Sequence, residues 1–201
     1  MNRKIGMISS LVTFLAVAAF ALCMLIGSNA GSYLASMFIA WGYLPMACAF
    51  AARAKDDARA AALTGVAFAA VYGVLIAVVY FAQLTAVRLS PLSEEALSIL
   101  DYSRFGLFFS LDLLGYAFMA LSTFFLGLTI LPEGRAERWL KGLLMVHGVF
   151  AVTCVIFPIL GLFKPGMAGG DLIGVLVLEF WCAYFLPVCV LAYRHFQKER
   201  R

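Results

Sequence analysis

The sequence predicts an all-α fold, a polytopic integral membrane protein with a six-transmembrane-helix bundle and both termini cytoplasmic. Three observations predict it. Hydrophobic residues make up 64% of the 201 residues and charged residues only 13%, against about 45–50% and about 25% in a soluble domain. The apolar residues fall in long charge-free runs, not in the alternating ten-residue segments of a β-barrel. Lys and Arg then concentrate in every second loop. One soluble core cannot hide this excess, because a domain of this length still exposes roughly a quarter to a third of its unfolded surface. The composition excludes a soluble enzyme, a disordered tail and a disulfide-stapled secreted domain.

The spans follow in order, and residues 1–201 read as a single transmembrane domain. No Asp, Glu, Lys, Arg or His occurs from Ile5 to Ala52. At about 20 residues per crossing, this run holds two helices. They are placed at about 5–27 and 33–52, parted by Gly27-Ser28-Asn29-Ala30-Gly31-Ser32, where Gly and Asn suit a tight turn. The first run is longer than the core of a secretion signal, so it reads as a helix. The third span covers 60–87. The fourth, 105–131, contains Asp112; the fifth, 142–163, contains His147; the sixth, 172–193, contains Glu179.

Charge supplies the orientation. With the N-terminus inside, the inner segments hold twelve Lys and Arg residues, among them Arg53, Lys55, Arg135, Arg138, Lys141, Arg194 and Lys198. The outer segments hold three: Arg88, Arg104 and Lys164. Basic residues favour the cytoplasmic side. The net charge of +4 is therefore a topology signal and no nucleic-acid footprint. Membrane lipids are the expected surroundings, with acidic headgroups near the basic loops. Short loops and Ala-rich spans without a glycosylation sequon point to a bacterial inner membrane.

Between the third and fourth spans, residues 90–100 predict a short helix lying at the outer interface. Ser90 suits an N-cap, Pro91 the first helical position, and Glu94 and Glu95 the positive end of the dipole. Such a helix is either a lid or a connector resting on lipid, and the connector is the commoner case. Gly65, Ala69, Gly73 and Ala77 recur every fourth residue, which predicts a tightly packed, central third helix. Pro45, Pro158 and Pro187 are expected to kink their helices. Trp41, Trp139 and Tyr102 fit interfacial anchors. All five cysteines fall inside spans and are expected to be small hydrophobes without disulfides.

Chemistry, if present, lies with the polar groups inside the spans. Asp112 and Glu179 fall at similar depth in the outer half, and no span interior contains Lys or Arg. A carboxylate in hydrocarbon costs several kcal/mol unless it faces protein or water, takes up a proton or holds a cation. Asp112, Tyr116, Met119 and Thr123 share one helical face, and Glu179, Cys182, Leu186 and Cys189 another. If the two faces meet, they frame an outward-leaning pocket, with Tyr80 and Gln83 of the third span as further lining. Arg88 and Arg104 are the cations placed to reach inward. His147 lies deeper and is a candidate relay. No HExxH, GxSxG or phosphate-binding loop occurs, and no cofactor or metal is expected.

These residues predict a small membrane protein that binds or transports a small molecule, with proton or cation linkage through Asp112 and Glu179. At this size a homodimer or a partner subunit is expected for transport. The alternatives are a membrane-embedded enzyme acting on a lipid or prenyl substrate, and a non-catalytic structural or regulatory subunit. The first alternative uses the two acids and His147 as acid–base groups.

Overall fold

A computed structural model of the protein describes residues 1–163 and 170–198. Lys164, Arg200 and Arg201 of the charge argument lie outside the described residues. Among those described, six helical segments are long and apolar enough to cross a membrane. They are α1 (Asn2–Leu25), α2 (Asn29–Ala51), α3 (Arg59–Ala82), α5 (Leu107–Thr129), the pair α6 (Arg135–His147) and α7 (Val149–Ile159), and α8 (Gly170–Gln197). The short α4 (Glu94–Leu100) precedes α5.

Around the bundle, α8 packs on α1, α1 on α2, α2 on α3 and α3 on α5, while α6 and α7 pack on α5 and α6 returns to α8. Both termini lie at one end, since the backbone of Gly6 abuts the ring of Phe196. Side chains such as Leu11, Leu15, Val74, Ile156 and Phe180 stay exposed on the outside of the bundle. That is the inverse of a soluble core and a surface compatible with lipid.

Serine and threonine enter this core because each can return its proton to its own helix. Ser10 donates to the Gly6 carbonyl at 2.7 Å, Thr13 to Ser9 at 2.8 Å and Ser36 to Ser32 at 3.0 Å. Such back-bonding satisfies a hydroxyl where no water reaches.

The small-residue stripe does not make α3 the centre. α2 is the most buried span, and Gly42 lets it close against Thr13 of α1, whose Oγ1 would sit 2.6 Å from an added Cβ. On α3 the buried line runs through Ala62, Gly65, Ala69, Tyr72, Ile76 and Val79. Gly65 meets Leu126 of α5, but Gly73 faces open space. Spacing of four found small residues, whereas the packing of α5 decided which of them meet a neighbour.

The fifth span divides at Gly148, not at Pro158, which lies inside α7. Gly148 is pressed against Phe124, with an added Cβ at 3.0 Å from that side chain. Basic residues 135–141 continue the helix below this break. Glu137, Leu140, Leu144 and His147 form its buried stripe, while Arg135 and Arg138 lie on the exposed faces.

The outer loop also differs from its sequence reading. α3 runs on through a wide turn of π-helix at Gln83–Val87. The next helix is capped by Ser93, whose Oγ accepts from the Ala96 N–H at 3.3 Å, so it begins at Glu94 and not after Ser90. Pro91 to Ser93 stay extended, as residues around a proline prefer. We refer to residues 88–106 as the strap.

Candidate functional site

Asp112 sits on the inward face of α5 with 2% of its surface exposed. Its surroundings are phenols. The hydroxyls of Tyr80 of α3 and Tyr102 of the strap lie within interaction range of its carboxyl, and its Oδ1 has no hydrogen-bond partner among the described residues. The rings of Tyr33, Tyr80 and Tyr102 pack together, with centroids 5.4 Å apart for Tyr33–Tyr80 and 6.1 Å for each ring against Tyr102. Tyr116, one turn below Asp112, lies 5.7 Å from Tyr72 and 5.5 Å from Trp181. Ser36 of α2 lies within interaction range of both Tyr80 and Tyr116. Deeper still, Tyr43 donates to Ser122 at 2.8 Å and Ser122 to the Gly65 carbonyl at 2.6 Å. Hydroxyls therefore run from the strap to the far half of the bundle. The line is interrupted at Tyr72, whose buried Oη also lacks a partner.

Gln83 builds the mouth of this site. Its Nε2 donates to the Leu100 carbonyl at 2.7 Å, and its Oε1 accepts from the Tyr102 N–H at 3.0 Å. This double contact fastens the strap to α3 and turns Tyr102 inward. Tyr102 is therefore half-buried and is no interfacial anchor, whereas Trp41 and Trp139 are exposed. Burial first, and the nearby Asp112 second, push the Tyr102 phenol well above its ordinary range, so it stays protonated beside the carboxyl. Beyond the phenols lies a cleft of about 330 Å³, lined by Asn29, Tyr33, Gln83, Arg88, Asp101 and Ser103 among others. Tyr33 and Gln83 belong to both cleft and site.

The two rim arginines do not reach Asp112. Arg104 pairs with Glu94 at 3.3 Å and with Asp101 at 3.8 Å, and Arg88 lines the cleft. No salt bridge to Asp112 occurs among the described residues.

Glu179 is half-buried on α8, and its Oε1 is likewise buried and unpartnered. No hydrogen bond or ion pair joins it to Asp112 among the described residues. Cys182 lies between them, within electrostatic reach of both Glu179 and Tyr116. The two helical faces thus touch through Tyr116, Trp181 and Cys182, and each acid keeps its own surroundings.

His147 is fully engaged. The Trp181 N–H can only donate, and it does so to Nε2 at 3.0 Å. Nε2 therefore carries no proton, Nδ1 does, and Nδ1 donates to Thr123 Oγ1 at 2.8 Å. Thr123 passes its own proton to the Ala120 carbonyl at 2.8 Å. A closed network of this kind fixes one neutral tautomer and leaves neither nitrogen open to another group.

Of the residues singled out from the sequence, the structure brings together Asp112, Tyr80, Tyr116 and Gln83. It adds Tyr33, Ser36, Tyr72 and Tyr102, which sequence reasoning missed. A signal for three of them exists: Tyr33 and Ser36 are three apart on α2, and Tyr72 and Tyr80 are eight apart on α3. Both spacings keep side chains on one face. Tyr102 carries no such signal, because only the fastening by Gln83 turns it inward. Among the described residues, no three His, Cys, Asp or Glu side chains converge as metal ligands. No protein-family model, curated protein or solved structure matches the chain.

Proposed function

We propose that this chain is a multi-pass membrane protein of the cell membrane, with cytoplasmic termini. It binds a small molecule at the outer polar pocket and links binding to proton or cation occupancy of Asp112. One observation carries this reading: a carboxyl buried among phenols has, among the described residues, no basic partner and one oxygen without a hydrogen bond. Native interiors leave few such atoms, and those left often belong to a site that takes up a proton, a water or a ligand. The adjoining cleft gives the pocket a face to the outside. Glu179, with its own unpartnered oxygen, is a second titrating group on the same half of the bundle. The twelve-to-three asymmetry of basic residues supports the orientation, and loop length and composition support a bacterial inner membrane.

The enzyme reading receives less support. It needs an acid–base partner at the level of Asp112, and both nitrogens of His147 are taken up by Trp181 and Thr123.

The test is an infrared titration of the full chain in lipid nanodiscs. A protonated buried carboxyl gives a C=O stretch that disappears on ionisation. The expected result is a titrating band absent from Asp112→Asn, with a second, smaller contribution absent from Glu179→Gln. If neither variant removes a titrating band, the proton-linked reading fails.

A further inference from the structure

We propose that the ligand of the Asp112 pocket is an organic primary ammonium ion, and that it binds by displacing the Tyr102 phenol from the carboxyl. The proposal rests on the reading of Asp112 as a binding group, and it names the ligand class.

Three observations specify that class. The first is the unpartnered Oδ1 of Asp112. A carboxylate oxygen can only accept, so its partner must bring an N–H or O–H donor. The second is charge. Among the described residues, the ionisable side chains within interaction range of Asp112 are phenols and the Cys154 thiol, and none supplies a positive charge. A bound cation restores neutrality in a medium where an isolated charge is costly. The third is the lining. Tyr33, Tyr80 and Tyr116 present aromatic rings around the carboxyl, and cations bind favourably to ring faces. The absence of a three-ligand set among the described residues makes a bare metal ion a poor fit.

Room for the ligand comes from the strap. The rings of Tyr33, Tyr80 and Tyr102 touch one another, so the pocket is closed while Tyr102 is in place. Tyr102 is held there by two hydrogen bonds of Gln83 and by ring contacts. It belongs to a loop, whereas Tyr33, Tyr80 and Tyr116 are fixed on transmembrane helices. Withdrawal of Tyr102 toward the cleft opens the space beside Asp112 and leaves the three helix-borne rings as walls. An ammonium then takes the place of the neutral phenol beside the carboxyl and brings a charged donor that satisfies Oδ1.

The experiment uses the full chain in nanodiscs and three probes of one shape: benzylammonium, benzyltrimethylammonium and neutral benzyl alcohol. Binding is read by Trp181 fluorescence and by the thermal unfolding midpoint. Benzylammonium is expected to saturate. Benzyl alcohol should give only the non-saturating response of partition into lipid. Benzyltrimethylammonium, which lacks an N–H, should bind about tenfold more weakly or worse. Asp112→Asn should abolish saturation while keeping a native helical spectrum. Tyr102→Ala, which removes the competitor, should tighten binding by about tenfold; a purely packing role for Tyr102 would leave affinity unchanged or lower it. Equal binding of the alcohol, preference for the quaternary ion, or retention of binding in Asp112→Asn each overturns the proposal. If the infrared band of Asp112 titrates and benzylammonium does not bind, the ligand class is wrong and the carboxyl reading stands. If neither occurs, both fall.

Discussion

The two ends of the bundle handle buried polar groups in opposite ways. At the end that holds the termini, Glu137 is nearly fully buried and every contact is used. Its Oε2 accepts from the Glu133 N–H at 2.7 Å, and its Oε1 meets His195 Nδ1 at 3.2 Å and Lys198 Nζ at 3.4 Å. Arg53 donates to the carbonyls of His195, Phe196 and Lys198, which are the acceptors a helix C-terminus leaves over, and its guanidinium lies over the Phe196 ring. The larger cleft, about 720 Å³, is at this end. Glu137, Arg53, His195 and Lys198 in its wall are tied to one another or to carbonyls beside them, so they read as a staple joining α2, α6 and α8. At the opposite end a smaller cleft adjoins Asp112, which has one oxygen unsatisfied. A complete network stabilises, whereas an incomplete one leaves binding capacity.

The sharpest way to break this comparison is to delete one partner at each end. Glu137→Ala leaves three donors short of an acceptor, and unfolding by steric trapping should show a loss of about 2 kcal/mol. Asp112→Asn keeps an acceptor for the phenols and removes a buried acid, so its stability should change by less than about 1 kcal/mol. Equal losses would show that Asp112 is as structural as Glu137.

A comparable loss is expected inside the strap. Gly106 approaches the Ser98 carbonyl so closely that an added Cβ lands 2.2 Å from the oxygen, and the preceding Phe105 already holds a left-handed φ of 55°. Gly106→Ala should cost about 1–3 kcal/mol through this clash. It should appear as rapid hydrogen exchange across residues 94–104, with the far end unaffected.

Gln83→Leu should have a smaller and local effect. It leaves the Tyr102 N–H and the Leu100 carbonyl without partners, so the Tyr102 amide should exchange about tenfold faster, at a cost of about 1 kcal/mol. Unchanged exchange would remove Gln83 as the fastening of the strap.

The smallest effect is alkaline. Because the docked Tyr102 phenol titrates well above 10.0, its ordinary value, the docked strap keeps its full stability below about pH 10. It loses stability as pH rises further, since there the undocked phenol ionises and the docked one does not. Tyrosinate absorbance should therefore lag in the native protein and rise when the strap is released by Gln83→Leu. Simultaneous ionisation in both proteins would place Tyr102 in water.

Much of this was legible in the chain. Apolar run length is a local property, so Ile5–Ala52 shows two crossings and Asp112, His147 and Glu179 stand out inside their spans without any knowledge of neighbours. The helical face shared by Asp112 and Tyr116 follows from spacing alone. What spacing cannot supply is which faces meet. The small residues from Gly65 to Ala77 are regular in sequence, yet only part of that line finds a partner helix. His147 looks like a relay until Trp181 and Thr123 are seen to saturate it from two other helices.

Sequence by itself therefore determined the six apolar helices and the isolated acids within them, because the length of an apolar run and the acids inside it are local properties of the chain. Tertiary structure decided that Asp112 sits among phenols, that Glu179 has separate surroundings and that Tyr102 turns inward. Hydrogen bonds and ring contacts between residues tens of positions apart exist only once the helices have chosen their neighbours.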